Sequence, residues 1–406
     1  MNRFMSRYIH LSLIVFSFFL GTTLPLTASV SPQGADGLSP RFSLLTCSPG
    51  EEIYSYFGHT AIRMMWPETN RDIVFNYGVF SFNTPHFMLR FALGETDYQL
   101  AITDYHRFAA EYNYYNRGIT EQVLSLSPSE ARKLAELLEE NYLPENRIYR
   151  YNFFYDNCAT RPRDIIEKCI EGKIIYHFPD SLPQSYRDII HEYTRGHAWG
   201  QFGIDLCLGS QIDTPISQRQ KTFVPDYLLR AFRDAEIIAP DGSKRPLVSA
   251  EHILLPVRTD TQSQDFCLFP LSCALLLFMV GVLFTIYGLR RKKSLWGIDL
   301  VLFATAGIAG CVLAFLVFLS QHPGVSPNYL LFVFHPLHLL LLPFFLYKEK
   351  KRQKSIYHVA NSITLTFFIL FMAVLPQRIE WAVVPLALCL LVRSVSHLIL
   401  TYRERT

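Results

Sequence analysis

Hydrophobic residues along this chain fall into three regions with different patterns. The first 28 residues combine a basic start with a short apolar run from Leu11 to Leu20. Residues 29–262 mix apolar and charged positions as ordinary globular domains do, whereas residues 263–406 are mostly apolar. The pattern therefore predicts a leader segment, a mixed domain and a membrane domain.

The first region has the features of a secretory signal. Arg3 and Arg7 precede the apolar run, and small residues including Gly21 and Ala28 follow it. A basic start, a short apolar core and small residues are typical of segments that direct export. We expect residues 1–28 to be a signal peptide, with an uncleaved anchor helix as the alternative. Either of them would export the domain that follows.

The last region contains five apolar segments that are long enough to cross a membrane. They are Phe266–Leu289, Trp296–Leu319, Asn328–Tyr347, Tyr357–Leu375 and Trp381–Leu400. Each is close to the roughly 20 apolar residues that a helix needs to cross a hydrocarbon core of about 30 Å. We therefore predict an α-helical membrane domain of about five transmembrane helices over residues 263–406.

The charge of the connecting loops orients these helices. Basic clusters follow the first, third and fifth segments, at Arg290–Lys293, Lys348–Lys354 and Tyr402–Arg405. The other two connections carry almost no positive charge, and the positive-inside rule assigns the basic loops to the cytoplasm. We expect a multi-pass protein of the inner (cytoplasmic) membrane with residues 29–262 in the periplasm. The net charge of +3 comes largely from these loops, so it indicates no nucleic-acid partner.

The mixed domain has the patterns of an α+β fold. Alternation predicts strands over Arg41–Cys47, the second half of Tyr54–Trp66, and Ile73–Phe82. Ser127 and Glu130 form a capping box that opens a helix running to about Asn141. Another helix begins near Cys158, where Asn157 is a natural N-cap residue.

Two positions in this domain carry candidate chemistry. Cys158 lies between the strand-like segment Arg150–Tyr155 and a helix, and amide groups at a helix start lower the pKa of a thiol. His59 lies at the entrance to a strand and can act as the base, and Asn76 on the neighbouring strand can orient its ring. Structural roles fit as well, because an isolated buried cysteine is more often a core residue. No Cys-x-x-Cys pair or Cys/His spacing indicates a metal, and we expect no cofactor.

Several motifs in order resemble the Lnb family of Bacteroidota membrane proteins. They are Tyr54–Arg63, Phe75–Gly78, Tyr155–Arg161, Phe202–Ser210, Phe223–Asp226, and the apolar region with Asn328 and Phe334–His338. The resemblance implies a circularly permuted papain-like domain of the NlpC type, in which the histidine precedes the cysteine. It also implies an enzyme that N-acylates lipoproteins, with a phospholipid as acyl donor and a diacylated lipoprotein as acceptor.

The resemblance assigns roles to the candidate residues. Cys158 would be the nucleophile, His59 the base and Asn76 the polar third residue, a position that is often histidine in the wider fold. The backbone N–H of Cys158 and the hydroxyl of Tyr54 would stabilise the oxyanion.

Four further polar residues are candidates for contacts with the lipid substrates. Arg161 follows the nucleophile, where it could contact a phosphate or pair with Asp156. His335 and His338 lie three residues apart in a predicted span, where they could bind a head group or a neighbouring helix. Asn328 belongs to the motif of the apolar region.

Two other functions use the same residues differently. A cysteine peptidase or amidase acting on peptidoglycan peptides would need the same Cys158–His59 pair, but it would work without membrane helices. A non-catalytic envelope sensor would keep only the fold, and the intact histidine and cysteine argue against it. The helices favour the acyltransferase, because both of its substrates are held in the bilayer.

Overall fold

The computed structural model describes residues 40–81, 83, 85–178, 182–257 and 268–402. Within them, residues 41–255 form a domain built on β-sheet, and residues 270–402 form a domain of apolar helices. The predicted α+β class, followed by a helical domain, is confirmed. The predicted signal peptide, residues 1–28, lies outside the described residues.

A seven-stranded antiparallel sheet forms the centre of the first domain. Its strands are β1 (Arg41–Cys47), β2 (His59–Trp66), β3 (Arg71–Val79), β4 (Asp97–Asp104), β5 (Ile119–Leu124), β6 (Ile148–Arg150) and β10 (Val248–Leu255). They lie in the order β10-β5-β1-β2-β3-β4-β6. A second sheet of three short strands contains β7 (Lys173–Ile175), β8 (Glu236–Ile238) and β9 (Lys244–Pro246).

The central sheet is covered on both faces where β2 meets β3. Side chains alternate between the two faces of a strand, and Ile62 pairs with Phe75. These two residues are buried in one hydrophobic core, whereas Ala61 and Val74 are buried in another. The adjacent strands that alternation predicts are therefore present, with an apolar layer on each side.

Helices pack around this sheet. They are α1 (Phe87–Leu93), α2 (Tyr105–Tyr114), α3 (Pro128–Tyr142), α4 (Thr160–Cys169), α5 (Tyr186–Tyr193), α6 (Ala198–Cys207), α7 (Gln218–Lys221) and α8 (Pro225–Arg233). The predicted capping box opens α3, because Ser127 Oγ accepts from the N–H of Glu130, and the Glu130 carboxylate accepts from the N–H of Ser127. Leu134 and Leu138 on α3 are fully buried in the larger core.

The second domain contains four long apolar helices and one broken segment. The long helices are α9 (Pro270–Arg290), α10 (Trp296–Phe318), α13 (Ile356–Phe371) and α14 (Val383–Tyr402). The broken segment runs from Tyr329 to Lys350 through α11 (Leu337–Leu340) and α12 (Leu342–Lys350), with a bend of 73°. Among the described residues, four helices can cross a membrane by length and composition, or five if the bent segment counts as one span.

The third predicted span, Asn328–Tyr347, is therefore not one continuous helix. Pro336 and Pro343 lie in it, and proline cannot donate a backbone hydrogen bond inside a helix. Gly310 and Gly307 on α10 let the broken segment approach closely. A Cβ at Gly310 would lie 2.5 Å from the carbonyl carbon of His335. Packing against α10 thus stabilises a bent shape that hydropathy alone does not indicate.

The two domains are joined by hydrogen bonds at the weakly charged connections of the helices. The N–H of Gly209 donates to Gly324 O at 2.7 Å, and the N–H of Ser210 donates to Pro327 O at 2.8 Å. The side chain of Gln377 donates to Leu208 O at 3.1 Å. The sheet domain therefore rests on the side of the membrane domain that loop charge predicts to face away from the cytoplasm.

Candidate active site

His59 and Asn76 meet on one face of the central sheet. Ile62 pairs with Phe75, and continuing this register puts Ala61 opposite Asn76. Side chains alternate between the two faces of a strand, so His59, two residues before Ala61, lies on the same face as Asn76. The Nε2 atom of His59 lies 2.6 Å from Oδ1 of Asn76. An amide oxygen only accepts hydrogen bonds, so Nε2 carries the proton and Nδ1 is left free as a base.

Cys158 lies in a turn that Asn157 holds in place. Oδ1 of the buried Asn157 accepts from the N–H groups of Ala159 at 2.8 Å and Thr160 at 2.9 Å. Its Nδ2 donates to the carbonyl oxygens of Phe153 at 2.7 Å and Phe223 at 2.9 Å. Asn157 therefore caps the first turn as predicted, although the regular bonds of α4 begin only at Thr160.

The fold brings this turn against β2 and β3. Thr60, the residue after His59, lies near enough to Cys158 for its N–H to lower the pKa of the thiol. Gly78 lies in β3 with a φ of +88°, beside an irregularity between Asn76 and Val79, and a Cβ there would lie 3.5 Å from Cβ of Cys158. The structure thus brings His59, Asn76 and Cys158 together.

Burial dominates the acidity of the thiol. It raises the pKa of Cys158 from 9.0 to about 11, although the N–H of Thr60, the hydroxyl of Tyr151 and the charge of Arg117 all lower it. The backbone N–H of Cys158 itself also lowers this pKa, as expected at a helix start, but the net pKa is raised. Loss of hydration outweighs the amide groups, because it disfavours the charged form directly.

Burial acts on the histidine in the opposite direction. It lowers the pKa of His59 from 6.5 to about 4. The hydrogen bond that His59 donates to Asn76 raises this pKa, and the charge of Arg117 lowers it further. At neutral pH the site therefore holds a neutral thiol beside a neutral imidazole. The thiolate forms as His59 takes the proton, which is the arrangement of a general base and a nucleophile.

Tyr54 lies on a short 3-10 turn before β2. Its side chain is 70% exposed, and its ring packs edge-on against Phe80 at 6.5 Å between centroids. Burial of its hydroxyl and the charge of Glu52 raise the pKa of Tyr54. The hydroxyl therefore keeps its proton at neutral pH and can donate a hydrogen bond.

Tyr151 and Arg117 both lower the pKa of Cys158, and no sequence signal reveals them. Tyr151 lies with Cys158 against Gly78. Arg117 donates from Nε to Ser48 O at 2.8 Å, and one of its terminal nitrogens is buried without a hydrogen-bond partner among the described residues. Tyr151 follows β6 in the aromatic segment predicted as a strand, and Arg117 follows α2, so only the fold brings them to the site.

Arg161 pairs with Asp156, which is one of its two predicted roles. Its guanidinium makes two hydrogen bonds to the carboxylate of Asp156, at 2.6 and 2.8 Å. It also lies 3.4 Å above the ring of Tyr149. These contacts anchor the start of α4.

Asn328 joins the two domains. Its Nδ2 donates to Leu206 O at 2.8 Å, and its Oδ1 accepts from the N–H of Leu330 at 3.0 Å. These bonds connect the end of α6 to the broken segment, so the structure places Asn328 in the contact between the domains.

His335 and His338 lie inside the membrane domain. Their rings stack at 3.7 Å between centroids. His338 is fully buried and bonds to the hydroxyl of Tyr357 on α13 and to Val333 O. His338 was predicted to bind either a lipid head group or a neighbouring helix, and in the structure it bonds to a neighbouring helix.

One group of described residues is close enough to hold a metal ion. Ligand atoms of Glu349, His358 and His397 all lie within 4.8 Å of one another in the membrane domain. These side chains already make hydrogen bonds, since His358 bonds to Glu349 within the group at 2.7 Å and to Ser394 outside it at 3.1 Å. The described cysteines, including Cys47, Cys169 and Cys207, are all free.

Two family models match the chain. One, described as the Lnb N-terminal periplasmic domain, matches residues 33–192, and the other, described as the Lnb transmembrane domain, matches residues 261–405. The chain belongs to the Lnb family. The periplasmic match of this Lnb protein includes His59, Asn76 and Cys158, so the candidate site lies on the periplasmic side of the membrane.

Comparisons with curated proteins and with solved structures found no match to this Lnb protein. The family match therefore confirms a periplasmic domain attached to a transmembrane domain.

Proposed function

We propose that this Lnb protein is a lipoprotein N-acyltransferase. It moves an acyl chain from a phospholipid, through a thioester on Cys158, to the α-amine of a diacylglyceryl-cysteine. The observation that carries the proposal is the Cys158–His59–Asn76 group in a domain hydrogen-bonded to the outer connections of a membrane domain. A thiol with a base performs acyl transfer, and the membrane contacts suit two substrates that are held in the bilayer.

The first step transfers the acyl chain to the enzyme. Nδ1 of His59 takes the proton of Cys158 as the sulfur attacks the carbonyl carbon of a phospholipid ester. The tetrahedral intermediate then collapses, and the bond from carbon to the glycerol oxygen breaks. His59 gives its proton to that oxygen, so a lysophospholipid leaves and a thioester remains on Cys158.

The second step transfers the chain to the lipoprotein. The neutral α-amine attacks the thioester carbonyl, and the bond from carbon to sulfur breaks. The amine proton passes through His59 to the sulfur, which restores the thiol and leaves an amide. One ester bond is lost and one amide bond is formed, so the reaction needs neither an oxidant nor an energy source.

Two hydrogen-bond donors stabilise the oxyanion of both tetrahedral intermediates. They are the backbone N–H of Cys158, at the start of α4, and the hydroxyl of Tyr54. A single donor of this kind contributes about 3 kcal/mol to a transition state. Asn76 supports the same step indirectly, because it keeps the proton on Nε2 and leaves Nδ1 facing the reaction.

The proposal is tested by mass spectrometry of a synthetic diacylated lipopeptide. The purified full-length protein is incubated with this lipopeptide in phospholipid vesicles, beside Cys158→Ala and the matched control Cys207→Ala. We expect a gain of one acyl chain on the N-terminal cysteine with the wild type and with Cys207→Ala, and no gain with Cys158→Ala. A gain with Cys158→Ala would contradict the mechanism. Cleavage of peptidoglycan peptides without any gain would favour the peptidase instead.

A further inference from the structure

Five aromatic rings form a continuous row beside Cys158. We call this row, Tyr151–Tyr98–Phe80–Phe87–Phe91 in spatial order, the aromatic strip. The ring centroids of successive members lie 4.2, 5.0, 5.7 and 6.0 Å apart. These distances are those of rings in contact, so no polar gap interrupts the strip.

The inner end of the strip is at the nucleophile. Tyr151 and Cys158 both lie against Gly78, where a Cβ would be 3.6 Å from Cε2 of Tyr151 and 3.5 Å from Cβ of Cys158. Tyr98 stacks on Tyr151 with an angle of 25° between the two rings. A chain lying along the strip would therefore have its end beside Cys158.

The outer end of the strip is at the membrane domain. Phe91 lies on α1, and its ring contacts the ring of His322 at 5.6 Å between centroids. His322 Nε2 donates to Phe91 O at 2.6 Å, and the N–H of Gln321 donates to Leu93 O at 2.8 Å. Residues 321 and 322 belong to the outer connection that follows α10, so these bonds hold α1 at the periplasmic surface of the membrane domain.

The helix at this outer end exposes an apolar surface. Met88, Leu89 and Phe91 on α1 are 74%, 54% and 45% exposed. Contiguous exposed apolar residues indicate an interaction site. Because α1 is bonded to a connection between membrane helices, the lipid surface is the partner that this position offers.

We propose that the aromatic strip binds the acyl chain of the lipid donor on its way from the membrane surface to Cys158. The inference rests on the proposed function and names the site that selects the chain. An acyl chain suits the strip because it brings no polar groups that need hydrogen-bond partners. A peptide would bring backbone groups that the ring faces leave unsatisfied.

The test compares donors with long and short acyl chains. Phe87→Ser and Phe91→Ser in the full-length protein are assayed with dipalmitoyl phospholipid vesicles plus diacylated lipopeptide, and separately with the short ester p-nitrophenyl butyrate. Tyr114→Ser, an aromatic substitution at a site that is 81% exposed and outside the strip, is the matched control. We expect about a tenfold loss of palmitoyl transfer in the strip variants, because buried apolar contact is lost. Butyrate turnover should stay at the wild-type rate.

Each other outcome overturns the proposal in a recognisable way. Unchanged palmitoyl transfer in both strip variants would show that the chain does not bind there. An equal loss with both donors would show that the rings support the site only structurally. If the wild type transfers no chain to the lipopeptide, the proposed function itself fails, and the acyl role of the strip fails with it.

Discussion

Asn76 determines which nitrogen of His59 is free to act as the base. Its Oδ1 lies 2.6 Å from Nε2, so the proton stays on Nε2 and the lone pair on Nδ1. Without this bond the ring can rotate and adopt the other tautomer. In the proposed mechanism, Asn76 therefore positions the base.

We expect Asn76→Ala to lower kcat for acyl transfer by about 100-fold, within the usual range for general-base catalysis, with little change in KM. Asn76→Asp keeps an oxygen acceptor and should restore much of the rate. The added negative charge should also raise the pKa of His59 and move the acid limb of the pH profile upwards. A merely structural role would leave that limb in place, and equal losses in both variants would contradict positioning.

The pH dependence of the reaction follows from the depressed pKa of His59. Burial lowers this pKa to about 4, and only the neutral imidazole accepts the proton of the thiol. Activity should therefore persist at mildly acidic pH and fall as the pH drops through about 4. The measurement is kcat/KM for butyrate turnover against pH, in a protein that remains folded by circular dichroism. Half-maximal activity near 6.5 would contradict the buried, neutral base.

At the residue scale, candidate site residues could be predicted where a sequence motif includes them. His59, Asn76 and Cys158 could be predicted, because each belongs to a local pattern that resembles a known family. Tyr151 and Arg117 could not, since their effects on Cys158 arise only when distant segments pack together. The rise in the pKa of Cys158 could not be predicted either. Burial depends on the whole fold, whereas a helix start is visible in the local sequence.

At the scale of elements, the capped helix α3 and the strands β2 and β3 could be predicted because their signals are local. The bend between α11 and α12 could not, because hydropathy averages over the 20 residues of a span. The prolines Pro336 and Pro343 were visible in the sequence. The close packing of this bent segment against Gly307 and Gly310 depends on a neighbouring helix, which a local pattern does not reveal.

The glycines of α10 give a direct test of this packing. A Cβ at Gly310 would lie 2.5 Å from the backbone of His335, whereas a Cβ at Gly297 on the same helix would meet nothing within 4 Å. We expect Gly310→Ala to lower the Tm of the protein in detergent by several degrees. Gly297→Ala should leave it unchanged or raise it slightly, since alanine favours a helix more than glycine does. Equal Tm values for the two variants would contradict the close approach.

At the scale of the whole molecule, the periplasmic domain is fixed to the membrane domain by a few buried polar contacts. Gln377 is at their centre. Its Nε2 donates to Leu208 O at 3.1 Å and to Asn328 Oδ1 at 3.2 Å, and its Oε1 accepts from the N–H of Tyr329 at 2.6 Å. This attachment holds the candidate site beside the membrane domain.

We expect Gln377→Ala to weaken the attachment, because it leaves buried partners unsatisfied. Acyl transfer to the lipopeptide should fall about tenfold, a loss near 1.4 kcal/mol, while butyrate turnover by Cys158 should persist. Gln353→Ala, which changes an exposed glutamine at the opposite end of the membrane domain, should affect neither reaction. Loss of both reactions in Gln377→Ala would show damage to the site rather than to the attachment.

The most direct test of the account is detection of the acyl-enzyme. The protein is incubated with phospholipid vesicles without a lipopeptide acceptor, digested, and analysed by mass spectrometry beside His59→Ala. We expect one acyl chain on the peptide that contains Cys158, which hydroxylamine removes as it removes thioesters, and no such adduct in His59→Ala. An unmodified Cys158 in a preparation that acylates added lipopeptide would contradict the account, because the chain would then reach the acceptor without the thioester.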